Sequence, residues 1–106
     1  MSTLREKLAA QLARDPERPE AQLAMAQLCL REQDASAAGE HAARAVALKP
    51  DYSAAYLLAG QAAQAAGDVA AAADWYGRGA KAAQQQGDKQ IERQIAVFRK
   101  RLEAAS

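Results

Sequence analysis

Apolar residues recur at helical spacing near both ends of the chain. Near the start, leucines lie four residues apart at Leu4, Leu8 and Leu12. Near the end, a second apolar stripe has the spacing i, i+4, i+7 and i+11 and consists of Ile91, Ile95, Phe98 and Leu102. Such spacing places the side chains of each set on one face of a helix. The pattern therefore predicts one amphipathic helix over 3–14 and another over 88–105.

The segment between these two helices repeats itself. Pro16 and Pro50 are separated by 34 residues, as are Asp34 and Asp68. The same offset pairs further apolar or small residues, namely Leu23 with Leu57, Ala26 with Gly60, Ala38 with Ala72 and Ala45 with Gly79. A proline moves the residue before it out of the helical conformation, so Pro16 and Pro50 separate one unit from the next. A repeat of this length is typical of proteins built from stacked helical units.

The sequence pattern of each unit predicts two helices joined by a short turn. The helices are expected at 19–31 and 35–48 in the first unit, and at 53–66 and 69–86 in the second. Asp34 and Asp68 stand before the second helix of each unit, where a carboxylate accepts hydrogen bonds from free backbone N–H groups. Gly67 suits the left-handed conformation that ends a helix, whereas Gln33 at the matching site is less suited to it.

These features resemble the tetratricopeptide repeat (TPR), a helix-turn-helix unit with the pattern W-x2-L-G-x2-Y, A-x3-F and P. The second unit follows this pattern with Tyr56-x2-Ala59-Gly60-x2-Ala63 and Ala72-x3-Tyr76, and has Gln84 in place of the proline. The first unit follows it with Gln22-x2-Met25-Ala26-x2-Cys29, Ala38-x3-Ala42 and Pro50. The first unit thus keeps the small residues and lacks the aromatic ones.

The resemblance implies an all-α fold in which antiparallel helix pairs stack as a short right-handed solenoid of about six helices. It divides a single domain over 1–106 into a partial repeat helix at 3–14, one repeat at 19–52, a second repeat at 53–86 and a C-terminal helix at 88–105. Helical arrays need terminal elements with a polar outer face, so the helices at both ends are expected to cap the stack.

Composition narrows the function further. Half of the residues are hydrophobic but only 5% are aromatic, and the formal net charge is +1. This balance argues against general binding of nucleic acid or of an anionic membrane. The sequence indicates neither a signal peptide nor a membrane anchor, and a lone cysteine is typical of a protein of the reducing cytoplasm. The bias towards alanine and arginine favours a bacterial source.

Residues that could carry chemistry are few. The sequence has no catalytic triad, paired carboxylates or glycine-rich phosphate loop, so we expect neither an enzyme nor a bound cofactor or metal. Cys29 falls where TPR proteins pack a side chain between helices, and we interpret it as a buried thiol; a nucleophile or an oxidation sensor is the alternative. We interpret His41 as a surface residue, with catalysis or metal binding as the alternative.

Two features of the second half admit two interpretations each. Trp75 is expected to pack under the C-terminal helix near Phe98, and the alternative is an exposed binding anchor. The basic run of Arg99, Lys100 and Arg101 is expected to be a solvated helix face. Contact with nucleic acid through this run is the alternative.

The resemblance also implies a mechanism of binding, because TPR proteins generally hold a peptide or helix in a concave groove lined by the first helices of the repeats. On this basis the groove comprises Leu23, Gln27, Leu30, Arg31, Tyr52, Leu57, Leu58, Gln61 and Gln64. This lining differs from the lysine and asparagine set with which chaperone-binding members hold a C-terminal carboxylate. We therefore expect an amphipathic helix of a partner protein as the ligand.

Self-association is the alternative to a separate partner. A homodimer would bury a leucine-lined groove that a small monomer would otherwise expose. The groove assignment predicts that Leu57→Glu leaves the fold intact and abolishes binding, whereas Gly60→Leu and Ala72→Leu unfold the domain by overpacking helix contacts.

Overall fold

The computed structural model describes residues 3–105, and the regular secondary structure in this range is helical throughout. The helices are α1 (Leu4–Arg14), α2 (Pro19–Arg31), α3 (Ala35–Leu48), α4 (Ser53–Ala65), α5 (Val69–Gln86) and α6 (Lys89–Ala105). Each bound lies within one residue of the one predicted from the sequence. Residues 1, 2 and 106 of the predicted domain lie outside the described range.

The helices form two layers. Each helix packs against the next one along the chain, and α2 also contacts α4, which in turn contacts α6. Among residues 3–105, the alternate helices α1, α3 and α5 make no such contacts with one another. The helices α2, α4 and α6 thus lie closer to one another than α1, α3 and α5 do. The stack therefore curves with the layer of α2, α4 and α6 on the inside. This inner layer is the concave surface.

The same turn joins three pairs of helices. Gln33, Gly67 and Gly87 have positive φ angles of 62°, 81° and 70°. The following aspartates are Asp34, Asp68 and Asp88, and each donates its backbone N–H to the carbonyl five residues earlier, at 2.8 to 2.9 Å. Such a bond satisfies a carbonyl at the end of a helix. The carboxylate of the same aspartate accepts from the backbone of the next helix, as predicted for Asp34 and Asp68.

Close packing of the second repeat depends on Gly60. A Cβ atom on Gly60 would lie 2.3 Å from Cε1 of Tyr76, so the tyrosine ring rests directly on the backbone of α4. The equivalent residues of the first repeat are Ala26 and Ala42, both fully buried. The two repeats therefore fill the same space differently, with glycine and tyrosine in one and two alanines in the other.

A salt-bridge pair fixes α1 to the first repeat. The guanidinium of Arg5 lies 3.0 Å from Glu32 and 2.8 Å from Asp34, which belong to the turn between α2 and α3. Hydrogen bonding to Arg5, and then to the backbone of Ala37, lowers the pKa of Asp34. One side chain thus links the N-terminal helix to the cap of α3.

Candidate functional site: the concave groove

An open groove crosses the concave surface, with α4 as its floor and α2 and α6 as its walls. One depression has a volume of about 480 Å³ and is lined by Leu30, Arg31, Gln61, Gln64, Ala65, Phe98 and Arg101. A second depression of about 360 Å³ adjoins it and is lined by Gln27, Leu30, Arg31, Leu58 and Gln61. The two share Leu30, Arg31 and Gln61. Together they form one surface, which we call the groove.

The charge of the groove is positive. Arg31 lies on the α2 wall and Arg101 on the α6 wall, and both are exposed. None of the described residues that line either depression is an aspartate or a glutamate. The guanidinium of Arg101 lies 5.4 Å from the centroid of the Phe98 ring, a distance at which a cation is attracted to the ring face. This contact holds Arg101 at the edge of the groove.

A hydrogen bond orients the amide of Gln64 at the floor. The hydroxyl of Tyr76 donates to Oε1 of Gln64 at 2.9 Å. Burial raises the pKa of Tyr76 to about 12, so its hydroxyl keeps its proton and remains a donor at neutral pH. The Nε2 group of the same amide carries two N–H donors, which can serve a ligand in the groove. Together with the guanidinium groups of Arg31 and Arg101, it gives the groove a set of hydrogen-bond donors.

Six of the nine residues assigned to the groove from the sequence line it in the structure. They are Gln27, Leu30, Arg31, Leu58, Gln61 and Gln64. Leu23 is only 9% exposed and belongs to the core between the repeats, and half-buried Tyr52 packs against the same core. These two residues line neither depression.

The position of Leu57 differs from the prediction. Its side chain is 6% exposed and packs with Tyr76, Ile95 and Leu102 in the core beneath α6. Neither depression includes it. The placement of Leu57 in the groove is therefore wrong, because α6 covers this position.

The contribution of α6 to the groove was not predicted from the sequence. Phe98 and Arg101 form its α6 wall, and Ala65 extends its floor. The helices of the repeats alternate between the inner and outer layers, so α6 takes the place of a first helix. That alternation is the sequence signal from which its role as a wall could have been found.

Cys29 and His41, the two residues considered for a chemical role, both lie within the first repeat. Cys29 is fully buried, as predicted, and burial raises the pKa of its thiol, which opposes formation of a nucleophilic thiolate. His41, which was predicted to lie at the surface, is half-buried, and its Nδ1 lies 2.8 Å from Oε1 of buried Gln22. Partial burial, followed by the nearby charge of Arg44, lowers the pKa of His41.

Trp75 does not pack near Phe98. Its ring lies 6.1 Å from that of Tyr56, and the guanidinium of Arg78 lies 4.6 Å from the Trp75 ring centroid. The aromatic partner of Phe98 is instead Tyr76, at 6.0 Å. Trp75 thus belongs to the contact between α4 and α5.

Residues 3–105 contain neither a candidate metal site nor a candidate membrane-spanning helix. No group of three or more histidine, cysteine, aspartate or glutamate residues is arranged to hold a metal ion. No helix in this range has the length and apolar character needed to cross a membrane.

The chain is similar to known bacterial proteins. The chain is 44% identical over 72 residues to the TPR repeat-containing protein PA0015 of Pseudomonas aeruginosa, a match that covers 68% of this chain and 69% of the relative. It is 30% identical to protein BPP2914 of Bordetella parapertussis, whose solution structure superimposes with a TM-score of 0.85. That superposition covers 99% of this chain and 91% of the other. No family model matches the chain.

Proposed function

The chain belongs to the tetratricopeptide-repeat family, and from this premise we propose that it holds a helical segment of a partner protein in the groove. TPR proteins generally bind other proteins, and the family is generally non-catalytic. The proposed role is therefore that of a non-catalytic interaction module. Its site is the groove formed by α2, α4 and α6.

The observation that carries this proposal is the continuity of the groove across three helices. The two depressions share residues, so one elongated ligand can contact both. Leu30 and Leu58 offer an apolar surface, and Gln61 lies between the two depressions. A helix with one apolar face fits such a surface, because its side chains at helical spacing enter successive depressions.

The test is selection from a display library of helix-forming peptides. Peptides of about 15 residues, or roughly 22 Å of helix, carry leucines on one face and glutamate, lysine, glutamine or alanine elsewhere. The variant Gln61→Trp fills the junction of the two depressions. The control Gln85→Trp makes the same change at an exposed position of α5 that lines neither depression.

We expect selected peptides to bind the native protein and the Gln85→Trp variant equally. Binding to Gln61→Trp is expected to fall at least about tenfold, or 1.4 kcal/mol. Recovery of no binding peptide, or equal binding to all three proteins, contradicts the proposal.

Light scattering tests self-association through the same surface. We expect a monomer over about a hundredfold range of concentration, since the groove spans only three short helices and a standard interface buries roughly 800 Å² per partner. A stable dimer that Gln61→Trp converts to a monomer, while Gln85→Trp does not, would show that the groove binds a second copy instead.

A further inference from the structure

The two walls of the groove carry cations that the described part of the protein leaves uncompensated. Arg31 forms no ion pair with any carboxylate of residues 3–105, in contrast to Arg5 and Arg78. Arg101 contacts the Phe98 ring, and within the same range it too is without an ion pair. The whole chain has a net charge of only +1, so this positive charge is a local property of the groove.

Resting on the proposed function, we infer that the segment bound in the groove is an acidic amphipathic helix. Its apolar face contacts Leu30 and Phe98, and its carboxylates on either side of that face meet Arg31 and Arg101. The negative charge of this helix is complementary to the positive charge on both walls, which favours an acidic partner and disfavours a basic one.

The floor of the groove supports the same ligand chemistry. Tyr76 donates to Oε1 of Gln64, and the Nε2 group of the same amide carries two N–H donors. An ionised carboxylate accepts hydrogen bonds and donates none, so it suits the donors that Arg31, Arg101 and Gln64 present. The apolar floor beside it requires leucine-like side chains, which a nucleic acid lacks.

Two synthetic peptides with identical leucine positions test this inference. One carries glutamate at the flanking positions and the other carries lysine, and their binding is measured by fluorescence anisotropy. We expect the acidic peptide to bind at least about tenfold more tightly than the basic one. Its affinity is expected to fall several-fold between about 50 mM and about 500 mM NaCl, because salt screens exposed charges.

Charge reversal locates the effect in the groove. The double variant Arg31→Glu/Arg101→Glu is expected to prefer the basic peptide. The control Lys81→Glu/Arg93→Glu changes the net charge equally at exposed positions outside the groove, and is expected to keep the native preference. If charge reversal weakens the fold, Arg31→Gln/Arg101→Gln provides a milder variant, which is expected to lose the preference without inverting it.

The possible failures are distinguishable. Equal binding of both peptides, with loss of both in Gln61→Trp, would overturn the acidic partner and leave the groove proposal standing. Failure of both peptides, together with failure of the library selection, would overturn both proposals. Tighter binding of a single-stranded oligonucleotide than of the acidic peptide, lost in the arginine double variant, would replace a protein ligand with a nucleic acid.

Discussion

Gln22 and His41 contact each other through a hydrogen bond in the first repeat, at the place where two aromatic rings contact each other in the second repeat. Oε1 of Gln22 lies 2.8 Å from Nδ1 of His41. One repeat later, the equivalent residues are Tyr56 and Trp75, with ring centroids 6.1 Å apart. The side chains of Gln22 and Tyr56 also donate to equivalent carbonyls, those of Pro16 and Pro50. A hydrogen-bonded pair therefore takes the place of an aromatic pair.

This contact predicts how stability depends on pH. Nε2 of Gln22 donates to Pro16, so Oε1 accepts and Nδ1 of His41 carries the proton in the neutral ring. A second proton must enter at Nε2, and partial burial, then Arg44, lowers the pKa for this step below the ordinary 6.5. The unfolded chain thus binds more protons than the folded one as the pH falls below 6.5, and the free energy of unfolding decreases.

Urea denaturation measured at several pH values between about 7 and 5 checks this expectation. The variant His41→Gln keeps a donor towards Gln22 and removes the titration, so its stability is expected to vary less over this range. Asp34 does not interfere, because its pKa lies below the ordinary 3.8 and its contribution is lost only at more acidic pH. The same pH dependence in His41→Gln and the native protein would refute the assignment to His41.

Because Tyr76 packs on Gly60, we expect the substitution Gly60→Ala to destabilise the protein. Alanine stabilises an exposed helix by about 1 kcal/mol relative to glycine. In Gly60→Ala the new Cβ would lie 2.3 Å from the Tyr76 ring, so a net loss of about 1 to 3 kcal/mol is expected from urea denaturation. Gly77→Ala is the control, since apart from the neighbouring residues and backbone of its own helix nothing lies within 4 Å of the new Cβ, and it is expected to stabilise.

A double variant tests whether the ring is the cause. Gly60→Ala/Tyr76→Ala copies the alanine pair of the first repeat, Ala26 and Ala42. In the Tyr76→Ala background, Gly60→Ala is expected to cost little or to stabilise. Equal costs in both backgrounds would mean that the clash with the ring does not account for the effect.

At the left-handed positions of the turns, we expect a new glycine to stabilise the protein and the loss of a glycine to destabilise it. Gln33 and Gly67 occupy equivalent left-handed positions, with φ angles of 62° and 81°. Gln33→Gly is expected to stabilise by up to about 1 kcal/mol, since glycine adopts this conformation without steric cost. Gly67→Ala is expected to destabilise by about 1 kcal/mol, although the site has free space around a new Cβ. Thermal denaturation of the two variants measures both changes, and effects of the same sign would contradict the explanation by backbone conformation.

The sequence was sufficient to predict the fold because local and periodic signals agreed. The aspartates and glycines mark helix ends, and the offset of 34 residues marks the repeats. Helix ends depend mainly on nearby residues, so the predicted bounds agree with the structure to within one residue. The third turn at Gly87 and Asp88 uses the same local chemistry as the turns within the repeats.

The groove was less predictable because it depends on how distant helices pack. The identity of a residue on α4 does not reveal whether α6 covers it. Leu57 and Leu58 are adjacent in sequence, yet only Leu58 lines the groove, whereas Leu57 packs beneath α6. Trp75 was misplaced for a related reason, since its packing against Tyr56 rests on contact between two helices.

The buried position of Leu57 reverses the expected effect of Leu57→Glu. Its side chain packs with Tyr76, Ile95 and Leu102, and a carboxylate there would lose its water without gaining a partner. We expect a loss of roughly 3 to 5 kcal/mol in the free energy of unfolding, enough to unfold much of a small domain. Thermal denaturation followed by circular dichroism measures this effect without any ligand.

The control Gln61→Glu introduces the same carboxylate one turn further along α4, within the groove. Gln61 is half-buried at an open surface, so this variant is expected to remain folded, with a change below about 1 kcal/mol. It is also expected to bind the acidic peptide less tightly, because it places a like charge on the groove floor. A native melting temperature for Leu57→Glu would mean that α6 does not cover Leu57 in solution, and would return this residue to the groove.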